Sequence, residues 1–428
     1  MNYKKNLKNL IIRKKASVGV IGLGYVGLPL VNNLCNNNFN VIGFDNDKKK
    51  IEILKNGKSY LTSINDKQIK KILKKKFLPT SNYQEILNVD IIILCLPTPL
   101  NKSNNPNLIF VKKALIKIKE FLRKGQLIIL ESSTYPGCTR ELILPIIKNK
   151  KFKVGIDIFV GYSPEREDPS NKKFTIRNIP KICSGITASC TEITKRFYSV
   201  IINKTIEVSN IETAEFTKIF ENLYRSVNIA LVNEMKIICR KLKLDINEVI
   251  SAAKTKPFGY KAFYPGPGVG GHCIPVDPFY LSWLAKKNNI KLKFVELSGK
   301  INNFIPRWII SNSLKIKHKK ILLIGAAYKK NVDDPRESPI FDFINILKKK
   351  GRLVDYYDPY VKKLKSRKIK NILYSKNITS RMLVTYDLVY ILTDHDIINY
   401  DLILSHSKKI VDTRNVYKNN KSNKIINL

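Results

Sequence analysis

One thiol lies in the most glycine-dense segment of this 428-residue chain, Gly266-Pro267-Gly268-Val269-Gly270-Gly271-His272-Cys273-Ile274-Pro275-Val276-Asp277. A lone cysteine is more often a small core residue, but glycines bring backbone amides close to a reacting group and favour Cys273 as a nucleophile. A carboxylate, Asp277, follows four residues later. His272 could suggest a Cys/His pair, although adjacent side chains usually point apart. Lys218 and Asn222 are four residues apart and share a helical face. Such a pair can stabilise an alkoxide or oxyanion in carbonyl chemistry, and the bland alternative is a solvated lysine. None of the cysteines has the spacing of a metal-binding pair.

A second constellation is built for binding. Gly22-Leu23-Gly24-Tyr25-Val26-Gly27 follows an apolar run and opens a helical stretch, and Asp45 ends the next apolar run. Glycines allow a sharp turn and close approach of a pyrophosphate to helix N-terminal amides, and the acid can accept hydrogen bonds from ribose hydroxyls. An acid there disfavours a 2′-phosphate, so the expected cofactor is NAD rather than NADP. The bland alternative is a turn needed only for helix packing. Three further segments end predicted strands: residues 131–137 (ESSTYPG), 162–169 (YSPEREDP) and 328–339 (YKKNVDDPRESP). Each is also compatible with a solvated turn.

The elements that would position these groups follow from periodicity. Ser17–Ile21, a helix over 28–37 and Asn40–Phe44 start a βαβ unit, with further strands expected at 90–96, 127–131 and 156–161. From Ile211 the apolar residues Phe216, Ile219, Phe220, Leu223, Val227, Ala230, Leu231 and Ile238 recur at three- and four-residue spacing. This reads as one long amphipathic helix, connecting domains and available to a second subunit. After a Gly/Pro-rich loop at 257–278 and another helix, a second α/β pattern begins near Lys320. Its strands are expected at 321–324, 353–356, 388–392 and 409–411, with a helix over Ile340–Lys349. The expected fold class is α/β, two Rossmann-like doubly wound parallel-sheet domains joined by a long central helix.

Composition bounds the function. The sequence holds 77 Lys plus Arg against 34 Asp plus Glu, a formal charge of +43, with 44% hydrophobic residues. The hydrophobic content excludes a largely disordered chain and allows two or three domains. The charge suggests a nucleic-acid or anionic-membrane partner. Its distribution argues against that reading, because basic runs at 70–76, 148–153 and 315–320 are spread along the chain among Ile and Asn. Seven cysteines, an odd number without metal-like pairing, fit a reducing, cytoplasmic setting. No apolar stretch approaches the ~18 residues of a membrane span.

Together these residues resemble the UDP-glucose/GDP-mannose dehydrogenase family, and within it the UDP-N-acetylglucosamine 6-dehydrogenases. The resemblance runs from Ser17 to about Val416 and is carried by residues 21–30, 95–100 (CLPTPL), 131–137, 163–168 (SPERED), 221–234 and above all 257–283. It implies an NAD-binding Rossmann-like domain at 1–209, a central helical dimerisation domain with the cysteine loop at 210–305, and a UDP-sugar-binding Rossmann-like domain at 306–428. It also implies oxidation of a sugar C6 alcohol to a carboxylate by two NAD and one water. Cys273 would attack the C6 aldehyde, and the thiohemiacetal would lose a second hydride to give a thioester that water hydrolyses.

Carried over by position, the resemblance makes Lys218 and Asn222 stabilise the C6 oxygen, Asp277 and Thr134 position the hydrolytic water, and Glu165 act as acid/base or sugar contact. Gly22, Gly24, Tyr25, Val26, Gly27, Asp45, Thr98, Thr134 and Arg336 would hold the cofactor. Gly270, Lys329 and Arg414 would join Glu165, Lys218 and Asn222 on the substrate, and no metal is implied. Where UDP-glucose enzymes carry basic residues before the glycine run, this chain has Pro257 and Phe263-Tyr264-Pro265-Gly266-Pro267. That departure favours a pocket for a 2-acetamido sugar, UDP-GlcNAc first, with UDP-glucose, UDP-GalNAc and UDP-ManNAc as alternatives. Polysaccharide biosynthesis is the implied context. A β-hydroxyacid dehydrogenase, which has no use for the cysteine loop, and a nucleic-acid-binding Rossmann scaffold are the rival readings.

Overall fold

A computed structural model describes residues 2–101, 103–167, 174–271, 274–418, 420 and 422–428. The expected residues Asp168, His272 and Cys273 lie outside the described residues. The chain divides into two compact units, Met1–Glu221 and Asn222–Leu428.

In the first unit the order is α1 (Tyr3–Ile12), β1 (Ser17–Ile21), α2 (Gly27–Asn36), β2 (Asn40–Phe44), α3 (Lys48–Lys55), α4 (Asp66–Lys75), β3 (Phe77–Thr80) and β4 (Ile91–Leu94). Then come α5 (Ile109–Ile118), β5 (Leu127–Leu130), α6 (Cys138–Asn149), β6 (Phe159–Tyr162), β7 (Lys181–Gly185), α7 (Ala188–Ser199), β8 (Thr205–Glu207) and α8 (Ile211–Lys241), which runs on into the second unit. The sheet order is β3-β2-β1-β4-β5-β6-β7-β8. Its first six strands are parallel in the dinucleotide-binding order, and the order in which strands are added switches sides between β1 and β4. β7 runs antiparallel to β6. The central strands are continuous apolar runs because both faces are covered. In IIIL of β4, Ile91 and Ile93 enter one core while Ile92 and Leu94 enter the other, and LIIL of β5 alternates in the same way.

The second unit continues from α8 with α9 (Ile246–Ala253), α10 (Asp277–Lys287), α11 (Lys293–Ser313), β9 (Lys320–Ile324), α12 (Ile340–Lys349), β10 (Leu353–Tyr357), β11 (Lys363–Leu364) and β12 (Leu373–Tyr374). It ends with α13 (Ser380–Leu383), β13 (Leu388–Ile391), α14 (Tyr400–His406), β14 (Ile410–Asp412) and β15 (Ile425–Asn427). Its parallel sheet has the order β10-β9-β13-β14-β15. Ile321 and Leu323 face one core, Leu322 and Ile324 the other.

The strand expected at 156–161 starts three residues later, because residues 153–158 close a turn on the Lys153 carbonyl. The apolar stripe of α8 is only partly covered. Ile219 and Ala230 are buried, whereas Phe216, Phe220, Leu231 and Ile238 are between 42% and 58% exposed. Among the described residues, no helix is long and apolar enough to cross a membrane.

Candidate active site

In the first unit every expected motif follows the C-terminal end of a parallel strand. Gly22 leaves β1 with φ +97°, donates its N–H to the Phe44 carbonyl at 2.8 Å, and a side chain there would meet the Cys95 carbonyl at 2.5 Å. A Cβ on Gly27 would lie 1.8 Å from the Gly22 carbonyl, so helix and turn pack as closely as backbone allows. Gly24 differs, since a Cβ there would meet nothing within 4 Å. Val26 caps α2 without any side-chain hydrogen bond, while the Leu28 amide donates to the Gly24 carbonyl at 3.1 Å. Asp45 ends β2 and accepts the Leu23 N–H at 3.1 Å, and Lys50 lies 3.5 Å from its carboxylate. A turn open only at Gly24, an uncapped helix start and an acid beside them fit a dinucleotide. Thr98 and Thr134 are buried after β4 and β5. The Thr134 hydroxyl finds no nitrogen or oxygen partner among the described residues, and the thiol of Cys138 is the group it favours.

Glu165, after β6, is far from a solvated turn residue. Its Oε1 accepts the N–H groups of Arg166 at 2.7 Å and Glu167 at 2.5 Å, and its Oε2 lies 3.2 Å from Lys181 Nζ. Burial pushes this carboxyl up, but the Lys181 ammonium and the Glu167 amide outweigh it and hold the group below the usual range. Arg166 moors the loop, reaching the Pro180 carbonyl at 2.7 Å and Glu221 of α8 at 2.5 Å. Lys218, one turn before Asn222 on α8, adds positive potential at Glu165.

In the second unit Asn222 is 3% exposed, and its Nδ2 donates to Asp277 Oδ2 at 2.6 Å. Asp277 is the first residue of α10, also buried, with Pro278 behind it. The glycine loop between them is held from two sides. Gly266 N–H donates to Asn233 Oδ1 at 3.0 Å, and Asn233 is tied through Asn302 to the Ser226 carbonyl. Gly271 (φ +86°) donates to the Arg336 carbonyl at 3.1 Å. A Cβ on Gly270 would lie 2.8 Å from Tyr328 Cβ, so this glycine has a packing reason. The described part of the loop is therefore constrained as far as Gly271, and Asn222 reaches the carboxylate of Asp277 at the start of α10.

Arg414 follows β14. Its Nε donates to the Leu392 carbonyl at 2.7 Å, and its Nη1 would be 2.9 Å from a Cβ on Gly266. Arg336 is clasped by Asp334 in a two-pronged pair at 2.7–3.0 Å. Lys329 is half-buried in the same segment. The strand–turn start of the second sheet copies the first with two differences. Asp358, in the place of Asp45, accepts the amides of Ala326 and Ala327 at 2.6 and 3.0 Å and a hydrogen bond from buried His395 at 2.9 Å. His395 Nδ1 accepts the Asn331 N–H, so Nε2 carries the proton given to Asp358. The acid is fully engaged inside the protein, and alanines replace the open glycine. Sequence reasoning did not single out Lys181, Tyr198, Lys236 or this Asp358–His395 pair. The GAA turn was the one signal for the last of them. Among the described residues no cluster of His, Cys, Asp and Glu could hold a metal ion.

Models of three parts of the UDP-glucose/GDP-mannose dehydrogenase family match the chain: the NAD binding domain at 16–202, the central domain at 212–304 and the UDP binding domain at 322–419. A UDP-N-acetyl-D-glucosamine 6-dehydrogenase of Salmonella typhi is 36% identical over 81% of this chain and 83% of its own length. A UDP-N-acetyl-D-mannosamine dehydrogenase of Methanocaldococcus jannaschii is 32% identical over 93% and 92%. The structure of UDP-D-ManNAc dehydrogenase from Pyrococcus horikoshii superposes with a TM-score of 0.86 at 27% identity, covering 95% of this chain and 97% of that one.

Proposed function

This chain belongs to the UDP-glucose/GDP-mannose dehydrogenase family, and from that premise we propose that it oxidises the C6 alcohol of a UDP-N-acetylhexosamine, UDP-GlcNAc first, to the uronic acid. As an NAD-dependent nucleotide-sugar dehydrogenase it draws its oxidising power from NAD, which accepts a hydride when bound. Gly22, Gly24, Tyr25, Val26, Gly27 and Asp45 would hold the cofactor, with Thr98, Thr134 and Arg336 contributing.

The observation that supports the reading is the buried hydrogen bond from Asn222 of α8 to Asp277, the carboxylate four residues after Cys273 in the sequence. In the proposed sequence the C6 alcohol gives up a hydride and a proton to become an aldehyde. The Cys273 thiolate adds to the aldehyde carbon, and Lys218 and Asn222 stabilise the oxygen that gains charge. Loss of a second hydride leaves a thioester. Water placed by Asp277 and Thr134 displaces the thiol and yields the carboxylate. Glu165 takes or returns protons at the sugar, while Gly270, Lys329 and Arg414 bind the substrate.

We assign cofactor binding to residues 1–209, the cysteine loop and dimerisation to 210–305, and UDP-sugar binding to 306–428. The central helix with its exposed apolar residues supports a homodimer. Its setting is the cytoplasm and its product serves surface polysaccharide synthesis. Relatives of both the GlcNAc and the ManNAc type occur at similar identity, so the 2-acetamido preference rests on Pro257 and residues 263–267. The nucleic-acid reading gains no support from these matches.

Purified protein given NAD and a panel of UDP-Glc, UDP-GlcNAc, UDP-GalNAc and UDP-ManNAc should form about two NADH per sugar, fastest with UDP-GlcNAc. One NADH per sugar would remove the thioester step. Faster turnover of another sugar would reassign the substrate. Cys273→Ser should lose most turnover while binding NAD normally.

A further inference from the structure

Lys181 is the first residue of β7, and its ammonium is 7% exposed. It stands 3.2 Å from Glu131 Oε1 and 3.2 Å from Glu165 Oε2, a lysine shared between two carboxylates. The topology makes this meeting. β7 is antiparallel to β6, pairing Gly161 with Gly185 and Tyr162 with Ser184. The same register carried outward sets Glu165 opposite Lys181. A parallel β7 would have put its first residue at the other edge of the sheet, away from the ligand-binding ends of the strands. Glu131 is itself immobilised, accepting the Tyr198 hydroxyl, and Lys181 also lies 5.1 Å from the centre of the Tyr198 ring.

We infer that Lys181 is a positioning residue for the oxidation: anchored on Glu131, it aims the Glu165 carboxylate at the sugar and maintains its charge. The inference rests on the role proposed above for Glu165. Among the described residues, the charged or titratable groups around that carboxylate come from five elements and its own loop. Cys95 follows β4 and Glu131 follows β5. Lys181 and Cys183 belong to β7, Tyr198 to α7, and Lys218 and Glu221 to α8, while Arg166 and Glu167 share its own loop. Burial pushes both thiols and the phenol up, so they stay neutral. Burial also pushes Glu131 up, whereas the Lys181 ammonium and the Glu167 amide outweigh burial at Glu165 and hold it down. Buried lysines of this kind need fixed partners, and Lys181 has two.

The test follows the acid limb of the pH dependence of kcat/KM with UDP-GlcNAc, or with whichever UDP-sugar turns over fastest. Lys181→Met leaves two buried carboxylates without a counter-ion and can fail to fold, so Lys181→Met/Glu131→Gln, which exchanges the pair for uncharged groups, is made beside it. In the double variant the limb should move up by about one pH unit or more, with kcat reduced about tenfold or more and NAD affinity within about threefold. Lys181→Arg should keep the limb within about 0.3 pH unit of wild type. A folded double variant with the wild-type limb overturns the inference. Glu165→Gln separates it from its premise: loss of the limb confirms Glu165 as the titrating group, and an unchanged limb defeats both. Absence of NADH from wild-type protein with every UDP-sugar would defeat the activity itself.

Discussion

At the scale of single residues, the site depends on polar groups denied water. Asn222 gives one amide hydrogen to Asp277 in a buried bond of 2.6 Å. Asn222→Ala should lower kcat by about 10²-fold or more, because it removes an oxygen-stabilising donor and leaves Asp277 short of a partner. Measurement of kcat beside the melting temperature checks this; an equal drop in both would mark a structural role. Lys236 of α8 offers a test by pH. Burial is the largest cause that holds its ammonium down to about 7, and the nearby Arg414 cation adds to it. The unfolded chain, with an ordinary lysine, binds a proton there between about pH 7 and 10.5 that the folded protein does not. This residue therefore makes stability rise with pH across that window, and its contribution is lost as pH falls to about 7. Lys236→Met should flatten that slope in urea unfolding at pH 7, 8 and 9, and a slope identical to wild type would contradict the assignment. The placement of Lys218 and Asn222 on one helical face was legible as a spacing of four. That of Lys181 was not, because lysine is abundant along this sequence and only a three-dimensional neighbour marks one as buried.

At the scale of elements, the turn from β1 into α2 separates glycines that the fold needs from one, Gly24, that packing leaves open and that we assign to the cofactor. Gly27→Ala would drive a methyl into the Gly22 carbonyl 1.8 Å away and should cost about 3 kcal/mol or more. Gly24→Ala meets nothing within 4 Å and should leave the melting temperature nearly unchanged. Its NAD affinity should fall about tenfold, since the methyl occupies space that a pyrophosphate approaches. Calorimetric titration with NAD and thermal melts of both variants distinguish the two roles. The equivalent turn before α12 shows the same backbone plan put to another use, with Asp358 consumed by two amides and His395. Helix α8 contributes on two counts. Its Glu215 accepts from the Gly137 and Thr139 amides at the start of α6 at 2.6 and 2.8 Å, and its Asn222 reaches Asp277. The period of α8 was plain from residue spacing. Which of its apolar residues are covered was not, because Phe216 and Phe220 stack on one another in the open, 6.3 Å apart.

At the scale of the whole molecule, two properties belong to no single element. The formal charge of +43 surrounds substrates that are themselves anions. Long-range attraction should speed their capture, so kcat/KM for the UDP-sugar should fall several-fold between about 0.05 and 0.5 M NaCl while kcat changes little. A kcat/KM independent of salt would show that the charge is spread too evenly to steer. The second property is the exposed apolar set on α8, Phe220 at 58% and Leu231 at 51%. A homodimer formed on it should be weakened by Phe220→Asp, read as a shift toward monomer in sedimentation at micromolar concentration. An unshifted dimer would place the interface elsewhere.

The sequence by itself determined the two α/β patterns, the long helix and the glycine-rich segments on which the proposals for dinucleotide binding and thiol chemistry rest. Such features are written in local terms, as apolar period, glycine spacing and order along the chain. Tertiary structure alone decided which charges are buried and with whom. The reversal of β7 sets Lys181 beside Glu165, and the second sheet closes its own acid on His395. Those outcomes depend on strand direction and on long-range packing, which fix distances between residues that no sequence interval encodes.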